Sequence, residues 1–259
     1  MINEATTYGA ERHKLLAEFT PAALLRKAKQ RGFNSPPLLS CESKKRGLIE
    51  GGIAMALTES TMLELGTQAP EFSLPDVVSG KTISLKNFAD KKGLLVLFIC
   101  QHCPYVQHVK EELGRLGKDY MNKDVGIVAI SSNDARAYPD DSPDQLKAMA
   151  QKLNFTFPFL YDENQKVAQA YTAACTPDFF LFSATNRGGP ASGGDETWRL
   201  VYRGQLDDSR PGNGKPVSGK DLRAAIEAVL TGKPVGPNQK PSAGCNIKWK
   251  PGNVPDYAR

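Results

Sequence analysis

Hydrophobic residues along the chain fall into two recurring patterns. Residues 94–99 are apolar at every position, which predicts a strand buried on both faces. After them Val106, Val109, Leu113 and Leu116 recur at spacings of three and four, which predicts a helix with one apolar face. Further strands are predicted at 72–74, 82–85, 125–130, 157–161, 179–182 and 198–205.

The remaining helices are predicted from their start signals. Ser142 and Pro143 begin one helix, residues 165–171 form a short one, and Ser218 is the predicted N-cap of the last. Strands that alternate with helices predict βαβ units and a mainly parallel sheet. The last two strands are separated only by the Gly-rich loop 183–197, which predicts an antiparallel hairpin. The sequence therefore predicts an α/β protein with a central mixed sheet flanked by helices.

Both ends of the chain differ from this regular middle part. Residues 1–54 carry nine basic and five acidic side chains and no apolar signal sequence. They are predicted to be a disordered leader or to precede a translation start at Met55. Residues 55–231 form the predicted domain, and 232–259 a Pro-rich tail that packs on it. Without a signal sequence we expect a cytoplasmic protein, with a plastid location open if the leader is translated.

The composition excludes several classes of protein. Apolar residues make up 40% and charged residues 24%, as in ordinary globular proteins. The longest apolar run, 94–100, has seven residues, whereas a membrane-spanning helix needs about 20. Residues 55–259 carry 24 basic and 23 acidic side chains, so a basic face for nucleic acid is not expected. We therefore expect no membrane and no nucleic acid as partner, and the oligomeric state is not defined by the sequence.

Cys100 and Cys103 have the spacing C-x-x-C, at the point where the buried strand leads into a helix. The first N–H groups of a helix are unpaired and carry partial positive charge, so a thiolate placed there has a lowered pKa. The two-residue spacer lets the sulfurs close a disulfide. His102 is a candidate cationic neighbour, and Pro104 suits the first helical turn. These residues predict redox chemistry that needs no cofactor.

A C-x-x-C pair is also compatible with two other roles. It can supply half of a zinc site or part of a copper site, for which His102, His108, Cys175 or Cys245 would have to be brought close by folding. It can also be an inert buried pair. The sequence has no second C-x-x-C, so a metal is not part of the favoured interpretation.

A second motif, Cys175-Thr176-Pro177, precedes the strand at 179–182. A proline that enters a strand is costly unless it has a special role. Cys175 is either a resolving thiol near the C-x-x-C or a small buried residue. Cys245 lies in the tail and is a second candidate partner if the tail folds back over the domain. Cys41 falls in the leader and has no predicted role.

Between Leu65 and Leu230 the order of these motifs resembles proteins of the AhpC/TSA redoxin type. A bacterial subgroup, the peroxiredoxin-like thioredoxin-family proteins, is similar at residues 66–72, 98–106, 131–134, 174–179, 203–208 and 244–249. The resemblance implies a thioredoxin-like fold with an N-terminal redoxin-type extension. It also implies a cis peptide bond before Pro177, and that this proline packs against the C-x-x-C and presents backbone to the substrate.

The comparison with peroxiredoxins exposes a departure at the cysteine motif. Their peroxidatic cysteine is followed by Pro, which Cys103 and Pro104 match, and is preceded by a Pro and by a Thr or Ser. Here Val96 and Cys100 stand at those two positions. The hydroxyl that helps to position a peroxide is therefore absent. The sequence favours disulfide exchange over the alternative, a thiol peroxidase that uses Cys103 with Cys100 or Cys175 resolving.

The predicted function is that of a thiol–disulfide oxidoreductase acting on protein or small-molecule thiols and disulfides. In the predicted mechanism the Cys100 thiolate attacks a substrate disulfide, and Cys103 then attacks Cys100 and releases the reduced product. His102 resembles the histidine in the C-x-H-C motifs of oxidising members. A histidine that stabilises the reduced thiolate makes the disulfide a better oxidant.

Overall fold

A computed structural model describes residues 57–185 and 197–259 of the chain. The described strands are β1 Leu57–Glu59, β2 Ser73–Pro75, β3 Thr82–Ser84, β4 Gly93–Phe98, β5 Val125–Ser131, β6 Phe159–Tyr161, β7 Cys175–Thr176, β8 Asp178–Thr185, β9 Thr197–Gly204 and β10 Ala243–Asn246. The α-helices are α1 Pro104–Tyr120, α2 Pro143–Lys152, α3 Lys166–Ala170 and α4 Lys220–Leu230. Every strand and helix that the sequence predicts in these ranges is present, with small shifts at its ends.

The central sheet has five strands in the order β6-β5-β4-β8-β9. β4 and β5 are parallel, as are β5 and β6, whereas β8 is antiparallel to both β4 and β9. The predicted parallel strands and the predicted antiparallel hairpin are therefore confirmed. Part of the loop predicted at 183–197 lies outside the described residues. The mixed sheet with its flanking helices is the thioredoxin-like fold that the motifs imply.

The side chains of β4 alternate between two hydrophobic layers. Leu95 and Leu97 belong to the layer formed with α1, α2 and α4, and Leu94, Val96 and Phe98 to the layer formed with α3, β2 and the segment after β3. All five are at most 1% exposed. Burying a side chain of this size contributes about 1.5–3 kcal/mol. Because both faces of β4 are covered, its end is fixed firmly, and the cysteine motif follows directly from that end.

The tail contributes a strand that the sequence pattern does not predict. β10 lies between β1 and β7 in a separate three-stranded sheet and is antiparallel to both. Cys245 is paired with Leu57 on one side and with Thr176 on the other. The four residues of β10 show no alternation of their own, and their hydrogen-bond partners come from distant parts of the chain. A local pattern therefore cannot reveal the strand.

The start of α4 differs from the prediction. Its N-cap is Gly219, in a left-handed conformation with φ of 65°, so the prediction of Ser218 is wrong. The carboxylate of Asp207 accepts hydrogen bonds from the backbone N–H groups of Ser218 and Gly219, both at 2.6 Å, and of Ser209 at 2.8 Å. Asp207 is only 1% exposed. A buried carboxylate from the preceding loop thus fixes the backbone just before the helix, and Oγ of Ser218 accepts the N–H of Lys220 at 3.4 Å.

Residues 1–56 and 186–196 lie outside the described residues. The leader, its Cys41 and the domain boundaries therefore stay predictions. Within the described ranges, the helices are too short or too polar to cross a membrane.

Candidate active site

The C-x-x-C pair spans the passage from β4 to α1. Cys100 lies two residues beyond the end of β4, and Cys103 is the N-cap of α1, which begins at Pro104. Proline suits this first helical position because an N–H there would have had no partner in the helix. The backbone N–H of Val106, in the first turn, donates to the Cys103 sulfur. The structure thus places Cys103 where unpaired helix N–H groups stabilise a thiolate.

The Cys-Thr-Pro segment packs directly against both sulfurs. The Thr176–Pro177 peptide bond is cis, as the resemblance implies. The hydroxyl Oγ1 of Thr176 lies 3.3 Å from Sγ of Cys100. The carbonyl oxygen of Thr176 lies 3.2 Å from Sγ of Cys103 and accepts its hydrogen when that sulfur is a thiol. Thr176 therefore bridges the two cysteines from an element far away in sequence.

A third thiol completes the group at Cys103. Cys245 of β10 is paired opposite Thr176, whose carbonyl oxygen contacts the Cys103 sulfur, and both cysteines are buried in the same cluster. We call Cys100, Cys103 and Cys245 the three-thiol cluster. Sequence analysis named Cys245 as a candidate only on the condition that the tail folds back, and the pairing of β10 with β7 provides that geometry.

The three sulfurs differ in their acidity. Hydrogen bonds from the thiols of Cys100 and Cys245, together with the N–H of Val106, lower the pKa of Cys103 far below its usual value. Burial, and after it the hydrogen bond to Cys103, raises the pKa of Cys100. The hydrogen bond to Cys103, and after it burial, raises the pKa of Cys245. The cluster therefore holds its negative charge on Cys103.

This distribution of charge differs from the one that the predicted order of events assumes. The sequence-based mechanism makes Cys100 the attacking thiolate, whereas the structure gives the helix N-terminus and the donated hydrogen bonds to Cys103. The thiolate is the nucleophilic form of cysteine. The position of Cys103 at the start of α1 and its lowered pKa make it a candidate for the attacking residue, with Cys100 held against Thr176 beside it.

His102 is bound to a buried carboxylate. Its Nδ1 contacts Oδ2 of Asp141, which is fully buried and lies just before α2. The hydrogen bond that His102 donates to Asp141 raises the pKa of His102, although burial opposes this shift. Burial alone would raise the pKa of Asp141, but hydrogen bonds from His102 and Asn133 outweigh it and lower the pKa. The charge of His102 is therefore paired mainly with Asp141, and the charge of Cys103 adds a smaller attraction.

Asp141 also fixes the backbone of the C-x-x-C turn. Its Oδ1 accepts the N–H groups of Gln101 at 2.7 Å and of His102 at 3.1 Å, and its Oδ2 accepts Nδ2 of Asn133 at 2.7 Å. The His102 ring stacks on Tyr138, with centroids 5.2 Å apart. Sequence analysis did not single out Asp141 or Tyr138. Asn133 lies within the resemblance segment 131–134, which was the one available signal.

The donor atoms of Cys100, His102 and Asp141 lie within 4.8 Å of one another and so form a candidate metal site. Both oxygens of Asp141, however, already accept two hydrogen bonds each. A metal would have to break the contacts that hold the C-x-x-C turn. The donor set therefore suits a hydrogen-bonded pair better than a metal centre, and neither Cys175 nor His108 belongs to it.

Cys175 does not join the three-thiol cluster. Successive side chains of a strand point to opposite faces, and Cys175 precedes Thr176, whose hydroxyl contacts Cys100. The sulfur of Cys175 lies 3.6 Å from the carbonyl oxygen of Pro177. Burial, and then the charge of Asp178, raises the pKa of Cys175. These surroundings are those of a small buried residue, and the thiol next to Cys103 is Cys245 instead.

All members of the three-thiol cluster are covered. Cys100, Cys103 and Cys245 are 1%, 0% and 2% exposed. A macromolecular disulfide can therefore reach Cys103 only if part of the cover moves. Next to the cluster a narrow cleft is lined by Tyr105, His108 and Pro177. His108 is hydrogen-bonded there through Nε2 to Oγ of Ser209 at 2.7 Å.

Fold and site together define a class of protein. A thioredoxin-like sheet carries a low-pKa cysteine at the N-terminus of α1, and a cis-proline segment packs against that cysteine. The β2–β3 hairpin precedes the core fold and is the redoxin-type extension. The protein is thus a redoxin-type member of the thioredoxin fold.

Comparisons with known proteins agree with this class. The model of the AhpC/TSA family matches residues 65–187. An uncharacterized conserved protein from Geobacillus kaustophilus is 51% identical over 77% of this chain and 99% of that one, with a TM-score of 0.71. A hypothetical protein from Sinorhizobium meliloti 1021 is 47% identical over 75% of this chain and 100% of that one, with a TM-score of 0.69. The chain belongs to the same redoxin-type family as these two bacterial proteins.

A more distant relative carries a functional name. Thiol-disulfide oxidoreductase ResA from Geobacillus thermodenitrificans is 24% identical over 130 residues, which cover 50% of this chain and 70% of that protein.

Proposed function

We propose that the chain is a thiol–disulfide oxidoreductase in which Cys103 is the attacking thiolate. The observation that carries the proposal is the position of Cys103, at the N-cap of α1 and buried in one cluster with the thiols of Cys100 and Cys245. Disulfide exchange needs both a thiolate and a second thiol close to it. The three-thiol cluster supplies both, and no cofactor is needed.

The reaction proceeds in two exchange steps. The Cys103 thiolate attacks one sulfur of a substrate disulfide, so that a mixed disulfide forms and the other substrate sulfur leaves as a thiolate. A second thiol of the cluster loses its proton and attacks the Cys103 sulfur, which releases the remaining substrate thiolate. The substrate disulfide is reduced by two electrons, and the protein is oxidised to an internal disulfide. The reverse sequence oxidises a substrate dithiol.

The name of the ResA relative supports this reaction class, and the AhpC/TSA match supports thiol-based redox chemistry more broadly. Protein or small-molecule disulfides are the proposed substrates. The cover over the cluster favours substrates that present their disulfide in an extended segment. A cytoplasmic location is part of the proposal, because four free thiols in the described residues suit a reducing compartment.

The proposal is tested by reduction of insulin disulfides with dithiothreitol as electron source, using the full chain. We expect Cys103→Ser to abolish the catalysed reduction. Cys175→Ser is the matched control, because that sulfur contacts only a carbonyl within its own segment, and we expect it to keep wild-type activity. Full activity in Cys103→Ser would contradict the assignment.

Hydrogen peroxide is a second candidate substrate. The observation in its favour is that the thiols of Cys100 and Cys245 are buried in the same cluster as Cys103. Attack of the thiolate on peroxide would give a sulfenic acid and water, and a neighbouring thiol would condense with it to a disulfide and a second water. Antioxidant chemistry of this kind enters the proposal only through the resemblance to proteins of the AhpC/TSA redoxin type. Peroxide consumption that depends on Cys103 supports this activity, and its absence in the wild type excludes it.

A further inference from the structure

Strand β10 occupies the edge of the segment that faces the reactive cysteine. Among the described residues β7 has β10 as its one hydrogen-bonded neighbour, with Cys245 opposite Thr176 and Asn246 opposite Cys175. Extended peptides often bind proteins by adding a strand to a sheet edge. At this edge the added strand is part of the same chain, and it brings a cysteine to the sulfur of Cys103.

The fit of β10 against β7 is very close. A Cβ at Gly244 would lie 2.0 Å from the carbonyl oxygen of Thr176, so only glycine allows this approach. Ser242, just before β10, donates from Oγ to the carbonyl oxygen of Pro177 at 2.9 Å. Beyond the strand, the N–H of Ile247 donates to the carbonyl oxygen of Ala174 at 3.1 Å. These contacts on both sides of Cys245 hold it in register with Thr176.

Cys100 and Cys245 are both neighbours of Cys103, but their thiols are held neutral for different reasons. Burial is the largest cause of the raised pKa of Cys100, followed by its hydrogen bond to Cys103. The largest cause of the raised pKa of Cys245 is its hydrogen bond to Cys103. A mixed disulfide removes the negative charge from Cys103, and this cause disappears. Lys248 also lowers the pKa of Cys245. Cys245 therefore loses the largest cause of its raised pKa when Cys103 reacts, while Lys248 continues to favour its thiolate.

We propose that Cys245 is the resolving thiol of Cys103, and that β10 occupies the edge of β7 where an extended disulfide substrate pairs. This inference rests on the proposed exchange reaction and specifies its second step. The substrate displaces β10 and forms a mixed disulfide with Cys103. When β10 returns, the Cys245 thiol loses its proton and attacks the Cys103 sulfur, and the substrate thiolate leaves. The product is a Cys103–Cys245 disulfide that an external dithiol reduces again.

The experiment maps the disulfide that forms in the full chain with oxidised glutathione as the probe. Free thiols are blocked in acid, and the protein is digested with trypsin without reduction. Cys100 and Cys103 fall on one peptide, 93–110, Cys245 on 224–248, and Cys175 on 167–187. A Cys103–Cys245 disulfide therefore links two peptides, whereas a Cys100–Cys103 disulfide stays within one. Wild type, Cys100→Ser, Cys245→Ser and the control Cys175→Ser are compared.

We expect the linked peptides in the wild type, in Cys100→Ser and in Cys175→Ser. In Cys245→Ser we expect the linked pair to be lost and Cys103 to be recovered as a persistent mixed disulfide with glutathione. A wild type that forms only the 93–110 internal disulfide, with Cys100→Ser halted at the glutathione adduct, would overturn the inference and leave the proposed function intact. Catalysed exchange in Cys103→Ser would instead contradict the proposed function.

Gly244→Ala tests the place of β10 without removing a thiol. The added Cβ should push β10 away from Thr176. We expect faster alkylation of Cys103 by iodoacetamide than in the wild type, and less of the linked pair after glutathione treatment. Alkylation at the wild-type rate together with an undiminished linked pair would count against β10 as the cover of the pairing edge.

Discussion

At the scale of single residues, the chemistry of each titratable group depends on the atoms that distant elements bring to it. Cys103 gains hydrogen bonds from α1 and β10, and its pKa falls. His102 gains the carboxylate of Asp141, and its pKa rises. Asp178, at the start of β8, gains few partners, and burial raises its pKa to about 7. None of these shifts follows from the residue type alone.

The pairing of His102 with Asp141 predicts a specific pH dependence. A histidine whose folded pKa is raised stabilises the fold fully below its unfolded pKa of about 6.5, and this contribution is lost as pH rises through the folded pKa. We expect Asp141→Asn to lower the pKa of His102 and to remove that contribution. An NMR titration of the histidine ring protons measures the shift, with His108 in the same spectra as the internal control. An unchanged His102 titration would contradict the pairing.

Asp178 predicts a second pH dependence of the free energy of unfolding, which arises from burial rather than from an ion pair. The carboxyl is fully buried, and its Oδ2 has no hydrogen-bond partner among the described residues. The folded protein keeps its proton up to about pH 7, whereas an unfolded chain releases it near about pH 4. The free energy of unfolding should therefore fall as pH rises between these values, by at most about 1.4 kcal/mol per unit.

Asp178→Asn cannot ionise and should lack this part of the slope. Urea unfolding of both proteins at about pH 5 and about pH 7 measures the difference. The variant should gain stability relative to the wild type as pH rises. Parallel pH profiles for the two proteins would show that Asp178 is ionised in the folded state.

At the scale of elements, helix and strand ends are set by partners outside the element. α4 begins directly after the two residues whose backbone N–H groups donate to the carboxylate of Asp207, although Ser218 has the residue type of an N-cap. β10 exists because β1 and β7 supply hydrogen bonds on its two sides. The turn between β4 and α1 is held by Asp141, which precedes α2.

The start of α4 gives a matched pair of variants. Asp207→Ala leaves three buried or half-buried N–H groups without their acceptor, and we expect a loss of about 2–3 kcal/mol in the free energy of unfolding. Ser218→Ala removes a hydroxyl that is not the cap, and we expect a loss well below about 1 kcal/mol. Urea unfolding of the two variants measures both values. A larger loss in Ser218→Ala than in Asp207→Ala would restore the sequence-based assignment.

At the scale of the whole molecule, segments from both ends of the described chain meet at the reactive cysteine. β1 and β10 lie beside β7, and Ile247, just after β10, is only 1% exposed. The sequence predicts residues 232–259 as a tail that packs on the domain. The tail is therefore part of the folded structure in a physical sense, because it buries apolar surface and covers the three-thiol cluster.

Two shortened chains, one truncated at each end, test whether the tail contributes packing and cover. A chain that ends at residue 231 should unfold at a lower urea concentration than the full chain, and Cys103 should be alkylated faster, because β10 is missing. A chain that lacks residues 1–54, the predicted leader, should keep the midpoint and the exchange activity of the full chain. A tail-less chain with unchanged stability and alkylation would show that β10 contributes neither packing nor cover.

The order of elements was predictable because each depends on local periodicity. Continuous apolar runs define β4 and β5, apolar residues spaced three and four apart define α1, and the C-x-x-C falls between β4 and α1. Neither β7 nor β10 could be found in this way, since short strands form only when a partner edge is present. Asp141 carried no local signal because its hydrogen-bond donors, the N–H groups of Gln101 and His102, lie about forty residues away in sequence.

The sequence by itself determined the thioredoxin-like alternation of strands and helices and the location of Cys100 and Cys103 at a strand-to-helix passage, because periodicity and spacing are properties of neighbouring residues. Only the tertiary structure decided that Cys103 carries the negative charge, that His102 is paired with Asp141, and that Cys245 rather than Cys175 lies beside the reactive sulfur. Acidity and proximity depend on which atoms surround a group, and those atoms come from α1, β7 and β10, which meet only after the chain has folded.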